Sequence, residues 1–343
     1  MSKVLAEARR VSKSFAVKGG AMQRIVGHVQ AVSEVDLKIF EQESLGLVGE
    51  SGCGKSTIGR LLLRLIDPDQ GQILFDGRDI SRLKEKELRP IRRDMQIIFQ
   101  DPFSSLDPRT PIGESIAEGL RVQGVHRDER RRRALQALEL VGLEQYHYRR
   151  FPHEFSGGQR QRIGIARALA VKPRFLVCDE PVSALDVSIQ SQILNLLKEL
   201  QRDLRLTVLF IAHNLSVVEH LCDRIAVMYL GRVVEVGTRE EVFESPQHPY
   251  TLALLSAIPV PDPNRVKRQI LLPGEIPSPL HPPTGCPFHS RCPIVEMGVC
   301  DREVPVLAEA AGQPEHLASC HLRTGAYQHL GGRWARMGSG ATG

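Results

Sequence analysis

A glycine-rich loop between an apolar run and a helical pattern is the feature of this sequence that most constrains its fold. The short apolar run 44–48 is bounded by charged residues, which predicts a buried strand. The loop 49–57, with the sequence GESGCGKST, follows at once. Apolar residues at helical spacing then continue from near Lys55 to Leu65, and Pro68 ends the pattern. This order of strand, turn and helix predicts an α/β fold.

The loop has the residue types and the spacing of a phosphate-binding site. Its glycines let successive backbone N–H groups point inward, and the start of the helix adds free N–H groups and a positive dipole end. In this pattern the lysine, Lys55, reaches the β- and γ-phosphates, and the hydroxyl of Ser56 binds Mg²⁺. The residues expected to bind a nucleoside triphosphate are Gly49, Glu50, Ser51, Gly52, Cys53, Gly54, Lys55, Ser56 and Thr57.

Two acidic residues follow a second apolar run. The run 174–178 predicts another buried strand, and Asp179 and Glu180 come at its end. Asp179 is expected to hold the Mg²⁺ shell, as the acidic residue at this strand end does in P-loop ATPases. Glu180 lies just past the strand and is expected to polarise the attacking water. Two acids can also be a solvated strand end, but their combination with Lys55 favours the catalytic interpretation.

Three further residues are candidates for the same site. The apolar run 207–212 predicts a strand that ends at His213, whose imidazole is expected to contact the γ-phosphate and hold the water in line. Another apolar run ends at Gln100, which suits a Mg²⁺ or water contact that can be made and broken. Phe15 is a candidate to stack on adenine, although an ordinary strand aromatic is the alternative.

The segment 155–159, with the sequence FSGGQ, precedes the acidic pair and resembles the signature of ATP-binding-cassette (ABC) proteins. The whole chain, over about residues 5–322, resembles the ATP-binding subunit of a bacterial ABC importer of the oligopeptide/dipeptide (and nickel-peptide) type. The matching segments are 49–57, 100–102, 104–109, 155–162, 177–187, 213, 247–251 and 272–279. Two residues depart from the family pattern: Phe155 replaces a leucine, and Asn214 replaces an aspartate.

The resemblance implies a P-loop NTPase fold of the ABC type, with a mixed sheet and a helical subdomain. It also implies that the signature faces outward and closes over ATP held by a second ABC ATPase subunit. The residues expected to act across that interface are Ser156, Gly157, Gly158, Gln159 and Asp186. Ser156 is a good helix N-cap, and the glycines after it let a ligand approach the backbone. Hydrolysis would then let the dimer open.

Domain boundaries follow from changes in composition and from the resemblance. Residues 1–257 are expected to form the ATP-binding domain, with a helical subdomain at about 104–160 that receives a coupling helix of the permease. Proline and cysteine become frequent in 258–322, which is expected to be a wrapping C-terminal extension. The glycine-rich end 323–343 is expected to be disordered. The segment 19–28 is interpreted as an inserted hairpin loop.

Four of the seven cysteines lie within the extension, at Cys286, Cys292, Cys300 and Cys320. In a reducing cytosol, clustered thiols suggest a metal before they suggest disulfides. Four thiolates can hold a [4Fe–4S] cluster, and the C-terminal region of the resembled family carries a similar set of cysteines. Zinc, with His289 or His321 as a further ligand, and unliganded buried cysteines remain the alternatives.

Composition limits the partners and the location. The 45 basic and 40 acidic residues leave a net charge of only +5, which is too mild to indicate nucleic acid. No apolar run approaches the ~20 residues of a spanning helix, and the first ten residues lack the apolar core of a signal peptide. We therefore expect no spanning helix and no signal peptide, and the resemblance implies a peripheral protein at the cytoplasmic face of the inner membrane, held there by two transmembrane permease subunits.

Three function classes are open at this point. The first is an importer ATPase that couples ATP hydrolysis to the uptake of short peptides and pairs with a related second ATPase subunit. An extracytoplasmic peptide-binding protein would be its indirect partner. The second is a soluble ABC ATPase acting on ribosomes or DNA, although such proteins usually fuse two cassettes or insert coiled coils. The third is a redox or metal sensor with a cassette attached.

Overall fold

The computed structural model describes residues 3–19, 24–101, 105–258, 269–310 and 313–324. It confirms the predicted α/β fold. The strands are β1 Val4–Gly19, β2 Arg24–Phe40, β3 Ser44–Val48, β4 Gln70–Phe75, β5 Arg78–Asp79, β6 Met95–Ile98, β7 Phe175–Asp179, β8 Thr207–Ala212, β9 Arg224–Tyr229, β10 Arg232–Thr238, β11 Ala308–Ala310 and β12 Gln313–Ala318.

The helices alternate with these strands through most of the chain. They are α1 Lys55–Leu62, α2 Glu85–Ile91, α3 Ile112–Val122, α4 Arg127–Leu140, α5 Gly157–Ala170, α6 Val187–Asp203, α7 Leu215–Glu219, α8 Arg239–Glu244 and α9 Pro249–Ser256. Single 3₁₀ turns occur at Gln145–Arg149, Pro152–Glu154 and His289–Arg291. None of the helices among the described residues has the length and apolarity needed to cross a membrane.

The larger sheet places the predicted catalytic strands side by side. Its strand order is β11-β12-β10-β9-β3-β8-β7-β6. The pairs β3–β8, β8–β7 and β7–β6 are parallel, so the carboxyl ends of four strands meet at one edge. Alternate residues of β7 and β8 belong to two different apolar cores, so both faces of this part of the sheet are covered, and β3, β7 and β8 are buried along their whole length.

The smaller sheet is antiparallel and has the strand order β2-β1-β4-β5. Its first two strands form a long hairpin in which Lys18 pairs with Ile25 and Gly19 pairs with Arg24. The hairpin predicted at 19–28 is confirmed for the residues that the structure describes, and 20–23 lie outside them. A second apolar core fills the space between this sheet, α1 and the larger sheet.

Helix α1 ends earlier than the sequence pattern predicts. Arg64 has a φ of 51°, and its left-handed backbone stops the helix at Leu62 rather than Leu65. The N–H of Leu65 then bonds the carbonyl of Arg60 at 2.9 Å, which closes the helix end. The Arg64 side chain is buried and bonds the carbonyl of Ile80 at 2.8 Å, so a tertiary contact accompanies this conformation.

The helix-rich region predicted at about 104–160 is observed as α3, α4 and the following turns, and it packs on α5, which continues to Ala170. These three helices share an apolar core that includes Ile116, Leu138 and Ile163. Phe155 is buried in the same core, with its ring centroid 5.3 Å from that of His147. The phenylalanine at the first signature position is thus accommodated as an apolar core residue.

The C-terminal extension joins the larger sheet. Strand β12 pairs antiparallel with β10, with Glu235 opposite Ala318, and β11 adds a further strand at that edge. The described residues 269–284 contain neither helix nor strand, and the Pro279 carbonyl accepts a hydrogen bond from the Gln30 N–H of β2 at 3.2 Å. The extension therefore wraps across both sheets, as expected from its prolines, while its two strands were not predicted.

Candidate active site

The glycine-rich loop lies between β3 and α1, as predicted. Gly49 and Gly54 have φ values of 155° and 104°. A Cβ atom on either would overlap a backbone carbonyl, that of Met228 for Gly49 and that of Ala31 for Gly54. The loop is therefore seated against β9 and β2 so closely that only glycine fits at these two positions.

Lys55 is buried inside the loop that it follows. Its ammonium donates hydrogen bonds to the carbonyls of Gly49 at 2.7 Å and Glu50 at 2.9 Å. A buried positive charge next to the N-terminus of α1 favours an anion at the loop. This geometry fits the role predicted for Lys55 in binding the β- and γ-phosphates.

Two of the three residues predicted to contact Mg²⁺, Ser56 and Asp179, are brought together, whereas the amide of the third, Gln100, bonds Glu180. The Ser56 hydroxyl donates to the Asp179 carboxylate at 2.6 Å, because the end of β7 lies beside the first turn of α1. Asp179 is buried, and the guanidinium of Arg60 lies 3.9 Å from its second oxygen. A hydroxyl and a carboxylate are the oxygen ligands that Mg²⁺ uses beside phosphates, so the residues present fit this ion.

Glu180 is the point at which the other predicted residues converge. Its carboxylate accepts a hydrogen bond from the Gln100 amide at 3.0 Å and lies 3.8 Å from Nδ1 of His213. The backbone of Glu180 has a φ of 46° and donates its N–H to the carbonyl of Ile211 at 3.1 Å. A left-handed conformation is uncommon for glutamate and costs about 1–3 kcal/mol. It turns the chain so that the carboxylate meets side chains from two neighbouring strand ends.

The signature segment begins α5. The Ser156 hydroxyl accepts from the N–H of Gln159 at 3.3 Å, and the Gln159 side chain accepts from the N–H of Ser156 at 3.0 Å. This reciprocal cap leaves Ser156 on the surface. A Cβ on Gly158 would lie 2.6 Å from Cγ2 of Ile189, so this glycine also lets α6 approach α5 within the chain.

Two predicted nucleotide contacts remain predictions. Asp186 is exposed at the start of α6, and its carboxylate does not cap that helix. Phe15 is 42% exposed on β1, with the ammonium of Lys13 5.6 Å from the ring centroid. The exposed ring is available to stack on adenine, and the geometry gives no further evidence for or against this role of Phe15.

The structure adds residues that the sequence analysis missed. The Glu50 carboxylate binds Arg291 of the C-terminal extension, with N···O distances of 2.9 and 3.3 Å. The Glu50 N–H donates to the Tyr250 hydroxyl at 2.9 Å. Tyr250 belongs to the segment 247–251, which was noted only for its resemblance. A single arginine between Cys286 and Cys292 carried no local signal of this contact.

The four clustered cysteines, predicted to bind a metal, lie near one another in the extension. Burial, together with a smaller effect of neighbouring thiols of the cluster, raises the pKa of the Cys286 thiol to about 12 and that of Cys320 to about 11. The thiols are thus neighbours. Within the part of the chain that the structure describes, however, no three His, Cys, Asp or Glu side chains are arranged to hold a metal ion.

The zinc alternative finds no support in the two histidines named for it. A ring nitrogen of His289 lies 2.9 Å from the Cys286 carbonyl, and one of His321 lies 2.8 Å from the Glu303 carbonyl. Each of these contacts uses one ring nitrogen and is compatible with a metal on the other, so the observation against zinc is that no three suitable side chains are grouped among the described residues.

Comparisons with known proteins agree with this geometry. Residues 32–183 match the family described as ABC transporter, and residues 234–300 match the family described as oligopeptide/dipeptide transporter, C-terminal region. The oligopeptide transport ATP-binding protein AppF of Bacillus subtilis is 51% identical over 320 residues, which cover 92% of this chain and 96% of AppF. The oligopeptide transport ATP-binding protein OppF of Salmonella typhimurium is 49% identical and covers 93% of this chain and 96% of OppF.

A solved structure shows the same fold. The ATP-binding cassette MJ0796, described as a dimer in a post-hydrolysis state bound to ADP and Pi, superposes with a TM-score of 0.61 at 31% identity. The match covers 68% of this chain and 99% of that cassette. The chain is therefore an ABC transporter ATPase, and it belongs to the family of ATP-binding subunits of oligopeptide/dipeptide ABC transporters.

Proposed function

We propose that this chain hydrolyses ATP at a dimer interface and thereby drives the uptake of di- and oligopeptides through two membrane permease subunits. The observation that carries the hydrolytic part is the convergence of Gln100 and His213 on Glu180, beside the Ser56–Asp179 pair. The peptide part is supported by the match of residues 234–300 and by the names of AppF and OppF. The transporter family argues against the alternative of an ATPase acting on ribosomes or DNA.

The loop and Lys55 bind the triphosphate. The buried ammonium and the free backbone N–H groups at the N-terminus of α1 would bind the same anion. Ser56 and Asp179 would hold Mg²⁺, which neutralises charge that develops on the phosphate oxygens. The phosphate loop and the end of β7 thus bind the triphosphate and orient it.

Glu180 is the proposed general base. Its carboxylate is positioned to accept a proton from the attacking water, and the amide of Gln100 fixes the orientation of that carboxylate. His213 is 60% exposed beside it, and its ring is free to contact the γ-phosphate and the same water. Glu180 and His213 are therefore the proposed catalytic residues.

The exposed signature is proposed to complete the site of a second subunit. Ser156 begins α5 at the surface, Gly157–Gln159 form its first turn, and Asp186 begins α6 nearby in the chain. Such a helix start stabilises an anion, and MJ0796 is described as dimeric. We propose a related ATPase chain as the partner, and the cytoplasmic face of the membrane as the location.

The proposed organisation keeps the predicted boundaries. Residues 1–257 form the ATP-binding domain, 104–160 the helical part that receives the permease, and 258–322 the extension. The predicted disorder of 323–343 falls beyond residue 324 outside the described residues, while Arg323 and Thr324 are ordered by hydrogen bonds to Gln247 and Cys320.

The cysteines of the extension remain proposed ligands of a [4Fe–4S] cluster. Four neighbouring sulfur donors support this proposal, whereas their described arrangement does not. Anaerobic purification followed by iron and sulfide analysis tests it, with Cys292→Ser as the variant that loses iron. Protein free of iron and sulfide would leave them as buried apolar side chains.

Exchange of Glu180 for glutamine tests the proposed hydrolysis. Glu180→Gln keeps the shape of the side chain and removes the base, so ATP still binds while turnover falls about 100-fold or more. Glu199→Gln, on the exposed face of α6, is the matched control with parental turnover. Turnover of Glu180→Gln at the parental rate would show that another group activates the water.

Uptake of labelled dipeptide tests the proposed transport. The chain, its partner ATPase and the permeases encoded beside it are reconstituted in vesicles with the peptide-binding protein. ATP-dependent accumulation that disappears with Glu180→Gln supports the proposal. Accumulation that is unchanged by Glu180→Gln rejects it.

A further inference from the structure

The loop residue Glu50 is held by the far end of the chain. Arg291 lies in the 3₁₀ turn His289–Arg291, 241 residues after Glu50, and its two terminal nitrogens contact the two carboxylate oxygens at 2.9 and 3.3 Å. The Arg291 side chain is 9% exposed and that of Glu50 is 24% exposed. A two-point contact with so little water is stronger and more specific than a surface ion pair.

Each polar group of Glu50 has a different partner. The carboxylate binds Arg291, the N–H donates to the Tyr250 hydroxyl, and the carbonyl accepts from the Lys55 ammonium at 2.9 Å. Glu50 thus stands between the extension and the lysine that binds phosphate. A shift of Arg291 moves the carbonyl that orients Lys55.

Aromatic packing keeps this arrangement in place. Phe288, three residues before Arg291, is buried against Tyr229 and Tyr250, with ring centroids 5.2 and 5.5 Å apart. The Tyr229 and Tyr250 rings are 4.8 Å apart. One turn of the extension therefore supplies both the guanidinium that holds the Glu50 carboxylate and a ring that packs on the tyrosine holding its N–H.

Charge gives the contact a consequence for ATP. Glu50 is a carboxylate in the loop proposed to accept a triphosphate, and like charges repel more strongly where water is scarce. Arg291 neutralises this carboxylate. Without the guanidinium, the loop would present an unpaired, half-buried negative charge beside the phosphates.

We propose that Arg291 is a positioning residue for ATP binding, through which the C-terminal extension sets the charge and shape of the phosphate loop. The inference rests on the nucleotide site proposed above. It predicts that the extension controls the affinity for ATP more than the rate of the chemical step, because Arg291 acts on the loop and not on Glu180.

The test first compares three single variants in titrations with labelled ATP and in steady-state hydrolysis. Arg291→Ala weakens ATP binding and raises KM by about 10- to 100-fold, while kcat changes little. Arg291→Lys recovers part of the affinity, since a lysine keeps the charge and loses the two-point geometry. Arg302→Ala, at an exposed arginine of the same extension, binds ATP like the parent.

The double variant Glu50→Gln with Arg291→Ala separates charge from folding. If the unpaired carboxylate is the cause, removing it restores most of the affinity lost in Arg291→Ala. Equal loss in the single and double variants would mean that Arg291 only supports the fold, and the proposal would fail. Parental affinity in Arg291→Ala would also overturn it.

Lys55→Ala distinguishes this inference from the proposed function. Loss of ATP binding in Lys55→Ala with parental binding in Arg291→Ala rejects only the role of Arg291. Parental binding in Lys55→Ala rejects the nucleotide site itself, and the inference with it.

Discussion

Glu180 combines an unusual backbone with a well-defined environment. Its left-handed conformation, with a φ of 46°, is fixed by the hydrogen bond from its N–H to Ile211, and its carboxylate is held by Gln100. Strain of this kind persists where the surrounding structure determines the conformation. The surrounding structure therefore fixes the direction of the Glu180 carboxylate, and a general base requires such a fixed orientation.

His213 gives a prediction at this scale. Because its ring is 60% exposed and lies 3.8 Å from Glu180, His213→Ala should leave stability nearly unchanged and lower kcat for ATP about 100-fold, with little change in ATP affinity. Turnover, labelled-ATP binding and the thermal midpoint are the measurements. His220→Ala, at an exposed histidine nearby in the chain, is the control. A kcat equal to that of the parent would remove His213 from the mechanism.

His248 gives a second prediction, for the dependence of stability on pH. Burial lowers its pKa from 6.5 to about 3, and its neutral Nδ1 accepts the N–H of Tyr250 at 3.1 Å. Between these pKa values the unfolded chain binds a proton that the folded chain does not. Stability therefore falls as the pH falls below 6.5, by about 1.4 kcal/mol per pH unit.

Unfolding by urea at several pH values measures this slope. His248→Asn keeps an N-cap for α9 and removes the titration. Between pH 7 and 5, the free energy of unfolding of the parent should fall by about 2 kcal/mol more than that of His248→Asn. Identical slopes in the two proteins would show that His248 does not titrate on unfolding.

At the scale of elements, a buried carboxylate joins the extension to the ATP-binding domain. Glu235 on β10 accepts the N–H groups of Gln247 and His248, at 2.6 and 2.9 Å, and a ring nitrogen of His316 on β12 lies 2.7 Å away. The side chains of Glu235 and His316 are completely buried. Three segments thus depend on one side chain.

Glu235→Ala should therefore release the extension. It leaves two buried backbone donors and a histidine without this acceptor, which costs about 3–5 kcal/mol of the free energy of unfolding. Denaturant unfolding and limited proteolysis between the domain and the extension measure the effect. Glu309→Ala, at an exposed position of β11, is the control. Equal stability of the two variants would contradict the role of this junction.

The elements that could be predicted from the sequence are those with local signals. β3, β7 and β8 are continuous apolar runs in the sequence. Ser156, with Gln159 three residues later, is a typical sequence pattern of a helix cap. Strands β11 and β12 carry no apolar run. They form because β12 pairs with β10, where His316 meets the buried Glu235, and because β11 pairs with β12; such long-range causes leave no local pattern.

The same distinction applies to the candidate site. Lys55, Asp179 and Glu180 could be identified because each follows a recognisable strand. The contact between Glu50 and Arg291 could not, since the partners are 241 residues apart and an arginine beside cysteines has many other uses. The cysteines are a different case: their clustering and the resemblance suggested a metal site, and their arrangement among the described residues gives that prediction no support.

At the scale of the whole molecule, the last part of the chain supports the first motif. The extension contacts Glu235 through His316, and its Phe288 packs on Tyr229 and Tyr250. Its Arg291 binds Glu50 of the phosphate loop. The signature, in contrast, lies on a separate helical region built from α3, α4 and α5. The contact between the extension and the phosphate loop thus lies within one chain, and the signature lies on a different part of it.

This division predicts opposite effects for two substitutions. Ser156→Arg removes the exposed helix start and adds a large charge, so the chain should bind ATP with parental affinity but fail to associate with its partner subunit when ATP is added. Lys55→Ala should lose ATP binding itself, since the buried ammonium faces the phosphates.

Both variants are made in the Glu180→Gln background, which keeps the closed dimer long enough to measure its mass by light scattering. Asn214→Ala, at the cap of α7, accompanies them as a chain with an altered helix start elsewhere. If Ser156→Arg loses ATP binding in the isolated chain as completely as Lys55→Ala does, the signature belongs to the chain's own nucleotide site, and the composite site between two subunits is wrong.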